Sequence, residues 1–341
     1  WHFDIFAAAF YLLSRYEEYL PNQADAHGRF AAENSLAHRA GFLQQPLIDE
    51  WAFAFASELK KVFPTLAFRE NHFQVACTID IDQAFRTKGK SNGRFIKSIL
   101  GSLLKADIKD LKNKIAVRRL QIDDPFDQYE RLEKMHRKIN WKAIYFILFA
   151  EKNTAQDINL EITQVDFLQR IKRLSHTADI GIHPSYQSNK NPEIMQSERF
   201  NLSQVIQRNI NSSRQHYLKM QIPNTYYDLI KIGILHDYTM GYASQIGFRA
   251  STCRPFPFFD LQANEITFLT LHPFCLMDTT FHAYLTYTPE QSLAAAKQLL
   301  QSVQAVKGVF CTLWHNESMS GYQEWKGWEN IYEELLSSIY V

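Results

Sequence analysis

No stretch of this chain reaches the ~18 consecutive apolar residues of a membrane-spanning helix, so none is expected. An excess of charge of one sign is also missing. Lys+Arg (37) against Asp+Glu (36) leave a net charge of +1, which removes the electrostatic case for a nucleic-acid or anionic-membrane partner. The four cysteines, Cys77, Cys253, Cys275 and Cys311, stand far apart without C-x-x-C spacing. They form neither a zinc-knuckle pattern nor a disulfide framework; they read as reduced, partly buried thiols and point to a cytoplasmic location. No G-x-S-x-G elbow, Gly-rich phosphate loop, internal repeat or low-complexity tract occurs, which argues against a serine hydrolase and a nucleotide-cradling loop. The chain opens Trp1-His2-Phe3 with no Met and no signal-like segment. It is therefore expected to be a truncated or processed piece whose lost portion could carry a targeting signal.

What is present is ordinary globular material: 341 residues, 46% hydrophobic and 21% charged, enough for one large domain or a domain plus an appendage. Aromatics are plentiful, with 25 Phe, 16 Tyr and 6 Trp, and exposed aromatic platforms suit carbohydrate, although most such rings are core. Residues 1–70 read as a helical region: FDIFAAAFYLLSRYEEYL ended by Pro21, a polar loop to about His38, then LIDEWAFAFASELKKVF between Pro46 and Pro64. From residue 72 to 341 short apolar runs alternate with amphipathic helices. The runs are FQVACTID, KAIYFILF, ADIGIH, SRQHYL, IGFRAS, ITFLTLH and GVFCTLWH. Such alternation predicts βαβ units and an α/β fold, a distorted (β/α) barrel with the helical region in front. The polar stretches 107–125 and 187–197 read as insertions.

Nearly every predicted strand ends in an ionisable or metal-competent residue: Asp80 and Asp82, His183, Arg214 and His216, Arg249, His272, His315. In a (β/α) barrel these ends converge on one face. Asp80 and Asp82, two apart on a strand, face one pocket, and two carboxylates so close call for a cation or a shared proton. Asp82, His183 and His216 make a two-His, one-carboxylate set suited to zinc or a similar divalent ion. Taken singly, each residue has a bland alternative: a capping Asp, a hydrogen-bonded structural His, an Arg in a salt bridge. His315 has the apolar company of a general acid tuned near neutrality, with His272 as its rival.

FDIFAAAFYLLSRYEEYLP, TIDID, GIHPSY, SRQHYLK, DYTMGYASQIGFRASTCRPFPFFDL and LWHNE together resemble the polysaccharide deacetylase family, carbohydrate esterase family four with its chitooligosaccharide-deacetylase (NodB) homology domain, in a divergent branch with an N-terminal extension. The resemblance extends over nearly all of the chain. It implies a distorted (β/α) barrel that removes N- or O-acetyl groups from sugar polymers with a divalent metal, Zn first and Co or Ni as alternatives. On the family's motifs Asp80 becomes the general base, Asp82 a metal ligand, His183 a second ligand, Arg214 the residue that holds the base, and His315 the general acid. The family's second His on the loop after His183 is absent; Tyr186, Gln187 and Ser188 stand there, and His216 is the candidate replacement. Tyr186, Tyr217, Arg249 and Trp314 are assigned to substrate binding.

Two readings from different classes follow: an active metal-dependent deacetylase acting on a carbohydrate, N-acetyl groups foremost, or a deacetylase-like barrel without chemistry that binds a glycan or a partner in a cell-envelope pathway. A glycosidase is disfavoured because Asp80 and Asp82 are too close to flank a sugar cleft.

Overall fold

The computed structural model describes residues 2–340. Nine strands form one sheet: β1 (Gln74–Ile81), β2 (Ile144–Leu148), β3 (Asp179–His183), β4 (Ser212–Ser213), β5 (His236–Asp237), β6 (Phe256–Asp260), β7 (Glu265–Leu271), β8 (Leu276–Met277) and β9 (Val309–His315). Their order is β6-β7-β5-β4-β3-β2-β1-β9-β8. All neighbours run parallel except the β6–β7 hairpin. This is the expected α/β architecture of alternating strands and helices, preceded by a helical region. The edges are β6 and β8, and no ladder joins them among the described residues.

The central strands read as apolar runs because helices cover one face of the sheet and the strand interior fills the other. Ile79, Phe146, Ile147, Ile182 and Phe310 are fully buried. Parallel register then decides where the polar exceptions meet. Asp80 lies opposite His315 on β9 and Phe146 on β2, and His183 lies opposite Leu148. Close packing is needed beside this row: a Cβ on Gly181 would lie 2.5 Å from the Phe146 ring, which the Arg214 guanidinium covers at 4.6 Å.

Several expected elements differ. The SRQHYL run supplies only Ser213, the second residue of β4, before the chain turns off the sheet, and residues 246–251 (IGFRAS) form no strand. There the backbone is claimed by the N-terminal region instead: Phe248 N–H donates to the Leu43 carbonyl at 2.7 Å and Ile48 N–H to the Ser251 carbonyl at 3.0 Å. The stretch 107–125 holds the helix Ile108–Arg118, and 187–197 holds the start of the helix Pro192–Ile206, capped by Asn191. The first helix stops at Leu13, where Arg15 takes a left-handed conformation, rather than at Leu20. No described helix is long and apolar enough to cross a membrane.

A buried ionic cluster ties this N-terminal region to the sheet. Glu18 accepts from Arg15 Nε at 2.8 Å and Arg249 Nε at 2.9 Å, while Arg15 also donates to the Arg249 carbonyl and to Tyr242 Oη. Burial opposes the charge on Glu18, but Arg249 and Arg15 overcome it and hold its carboxyl below the ordinary value. Glu18→Gln leaves the buried Arg249 guanidinium without its anion while Arg15 keeps Glu17 at 2.9 Å, and denaturant unfolding is expected to show a loss of roughly 3 kcal/mol.

Glu198 gives a pH signature. It is fully buried and accepts from Ser185 N–H at 3.0 Å; burial pushes its carboxyl up from 4.5 to about 7 against that hydrogen bond. An acid raised in this way keeps its proton in the fold while the unfolded chain has lost it. Its favourable contribution is therefore complete below about 4.5 and lost as the pH rises through about 7. Melting temperatures of Glu198→Gln and the parent chain should diverge in favour of the variant between pH 5 and pH 8; parallel curves would contradict the assignment.

Candidate active site

The carboxyl ends of β1, β3, β4, β8 and β9 meet at a cleft of about 310 Å³, lined among others by Asp80, Asp82, His183, His216, Tyr217, Leu313, His315 and Glu317. That volume is at the low end for small-molecule sites.

Donor atoms of Asp82, His183 and His216 lie within 4.8 Å of one another. His183 Nε2 is 3.2 Å from Asp82 Oδ1, and His216 Nε2 is 3.5 Å from Asp82 Oδ2. The tautomers are set from behind. His183 Nδ1 donates to the Arg214 carbonyl, and His216 Nδ1 donates to Asp157 Oδ1 at 2.8 Å. Each ring thus turns Nε2 toward the carboxylate, the arrangement in which a histidine ligates. Asp82 Oδ1 is shielded from solvent, with His183 Nε2 at 3.2 Å beside it. A carboxylate that turns one oxygen toward each of two imidazole nitrogens is chemically suited to a divalent cation. The electrostatics agree. Burial disfavours charge on both partners, yet Asp82 and Asp157 push His216 up to about 9, and His216 with His183 holds Asp82 well below the carboxylate range. The spot calls for positive charge.

Asp80 sits beside this set, with Oδ2 3.7 Å from His183 Nε2. Its other oxygen accepts from Arg214 Nη1 at 2.8 Å; the same nitrogen donates to Thr78 Oγ1 at 2.7 Å, and Arg214 Nε donates to the Tyr238 carbonyl at 2.9 Å. Arg214 is entirely buried, so Asp80 is held in one orientation. Across the cleft His315 Nε2 is 3.7 Å from Asp82 Oδ2. Asp278 takes both the His315 Nδ1 proton and its backbone N–H, each at 2.7 Å. Burial acts against protonation of His315, but Asp278 prevails, and its pKa stands well above the ordinary range.

Three assigned residues, Arg249, Trp314 and Tyr186, do not line the cleft. Arg249 is spent on Glu18 and the Gly241 carbonyl. Trp314 is buried and packs on Tyr332 at 5.0 Å, because alternation along β9 sends Leu313 and His315 to the cleft and Trp314 to the opposite face. Tyr217 lines the cleft, while Tyr186 stands behind it at 5.4 Å, its hydroxyl 3.3 Å from His27 Nδ1. His272 pairs with His236 at 3.1 Å and stacks on Tyr238, away from the cleft. Asp157, Asp278, Glu317, Arg29 and Tyr284 were not anticipated. Removal from water pushes the Glu317 carboxyl up to about 7, against the pull of His315.

Residues 1–64 match a family of unknown function, DUF7033. No curated protein matches. Among solved structures the chain is similar to PuuE allantoinase, with TM-score 0.50 and 10% identity over 79% of this chain and 84% of that one. It is also similar to a probable polysaccharide deacetylase from Pseudomonas aeruginosa PAO1, with TM-score 0.49 and 10% identity over 79% and 85%. A CE4 family pseudoenzyme from Bacillus anthracis aligns at TM-score 0.37 and 10% identity, over 79% and 63%.

At 10% identity the likeness to PuuE allantoinase shows the fold alone and leaves the chemistry to be read from the cleft.

Proposed function

We propose that this chain is a metal-dependent hydrolase of the polysaccharide deacetylase type, removing acetyl groups, N-acetyl foremost, from an oligo- or polysaccharide. The observation that carries the reading is the Asp82 carboxylate, which turns one oxygen toward each of two imidazoles whose Nδ1 atoms are already engaged. The carbohydrate class rests on the resemblance of TIDID, GIHPSY and LWHNE to the family motifs, and an exposed Tyr217 at the rim suits a sugar ring.

Asp82, His183 and His216 would hold the ion, Zn foremost and Co or Ni as substitutes. A divalent cation bound there supplies Lewis acidity toward the acyl carbonyl and acidifies water. The remaining steps belong to the protein. Asp80, fixed by Arg214 through one oxygen, keeps its other oxygen free toward the cleft and takes the proton of the attacking water. His315, protonated and oriented by Asp278, donates to the departing nitrogen. The base and the acid stand on adjacent strands in register, so proton removal and proton delivery flank one acyl group.

Two variants separate binding from chemistry. The full chain incubated with Zn²⁺, Co²⁺ or Ni²⁺ is expected to retain about one ion per molecule, and Asp82→Ala to lose it. Asp80→Asn should keep the ion while deacetylation of a chitooligosaccharide falls roughly 100-fold or more. A parent chain that retains no ion would overturn the proposal and leave the glycan-binding, inactive barrel as the reading.

A further inference from the structure

The polar loop of the N-terminal region does more than connect helices. Asp25 closes a tight turn on itself, accepting from the backbone N–H groups of His27 and Arg29 at 2.9 Å and from Arg29 Nε at 2.6 Å. Gly28, at φ +77°, makes the reversal. The Arg29 guanidinium then reaches across to the sheet part of the chain. Its Nη1 donates to the Tyr217 carbonyl at 2.6 Å, and Gln221 Nε2 returns a bond to the Gly28 carbonyl at 3.1 Å.

The segment so clasped is strained. Tyr217 and Leu218 have φ of 59° and 51°, two consecutive side-chain-bearing residues in the left-handed region. Each such residue is costly and persists only where its surroundings over-determine it. Within the turn itself, Leu218 N–H reaches the Gln215 carbonyl at 2.9 Å and Lys219 N–H the His216 carbonyl at 3.2 Å. The bond that fixes the Tyr217 peptide comes from Arg29. His216 directly precedes the strained pair, and Tyr217 is in the cleft wall.

We propose that Arg29 is a positioning residue: by clamping the Tyr217 carbonyl it holds the left-handed 217–218 turn and thereby sets where His216 Nε2 and the Tyr217 ring stand in the cleft. The N-terminal region, which matches a family of unknown function, completes a site whose ligating residues all lie elsewhere. This inference rests on the metal-site reading above. Asp157 fixes the rotation of the His216 ring; its Cα is held on one side by its own N–H, which donates to the Pro184 carbonyl at 3.2 Å, and on the other by the turn; all are needed for a three-donor set to close on one point.

Binding of Co²⁺ alone to the full chain, followed by calorimetry and by the visible absorption of the bound ion, tests it. Arg29→Gln is expected to weaken Co²⁺ binding about tenfold or more and to change the absorption bands. Arg29→Lys, which keeps a donor but not the fork, should fall between the variant and the parent. Asp25→Asn should weaken binding in the same direction by releasing Arg29. Asp49→Asn, which removes the anchor of Thr252 and Cys253 without touching the turn, should leave affinity and spectrum as in the parent. If Arg29→Gln does not fold, the Lys and Asp25 variants decide. Parental affinity and bands in the Arg29 and Asp25 variants would overturn the proposal, as would equal weakening in Asp49→Asn. A parent chain that takes up no Co²⁺ would instead bring down the metal-site reading itself.

Discussion

Four carboxylates, those of Asp80, Asp82, Asp157 and Asp278, are crowded at the ends of the parallel strands, and that much buried negative charge must be compensated for the fold to stand. Three are answered from within the chain: Asp80 by Arg214, Asp157 by His216 and Asp278 by His315. Among the described residues Asp82 is met only by the Nε2 edges of His183, His216 and His315, at 3.2, 3.5 and 3.7 Å, and by no arginine or lysine of its own. The protein thus spends its available cations on orienting the machinery and leaves one anionic position open. Such a position is costly to keep unless something positive fills it, which is why the geometry points to ion binding more strongly than any single residue does.

The compensating groups also explain the rigidity of the cleft. Arg214 has no exposed surface, stacks on Phe146 and spans Thr78, Asp80 and the Tyr238 carbonyl. One side chain therefore ties β1 to the segment after β5. Asp157 does the same on the other flank, taking His216 Nδ1 at 2.8 Å and Tyr186 N–H at 2.7 Å through one oxygen. These links cross between strand ends that share only short ladders. With β4 and β5 two residues long, side-chain bonds take over what backbone pairing supplies elsewhere.

Residues at the ends of long strands were legible because an ionisable group after an apolar run is conspicuous and register is regular. Asp80, His183 and His315 belong to this class. Asp278 and Asp157 were not legible: the first follows a two-residue strand with no periodicity to read, and the second lies in a polar stretch that resembles any surface loop. Trp314 was placed by the motif when the period-2 alternation of β9 already sent it to the far face. Arg249 fell to a different cause. Its segment has the composition of a strand, but the N-terminal region captures its backbone and Glu18 captures its side chain, a tertiary demand that no local pattern records. The polar loop carrying Arg29 read as a connection because its role depends on a turn almost two hundred residues away.

The proposed donor set takes its second histidine from the strand end after His183 rather than from the loop that follows it, and the same contacts give a physical account of that. After His183 the chain enters a short 3-10 turn, Tyr186–Lys190, whose first N–H is held by Asp157. A side chain on that turn is directed by Asp157 as much as by the strand before it. The same Asp157 oxygen receives His216 Nδ1, so the carboxylate that anchors the loop also anchors the imidazole arriving from the next strand end. Ligand geometry depends on where Nε2 stands and which tautomer it holds, and both are fixed for His216 without a second histidine in the loop. Asp157, the carboxylate between the two segments, is therefore the residue on which the proposed donor set depends for the place of its second imidazole.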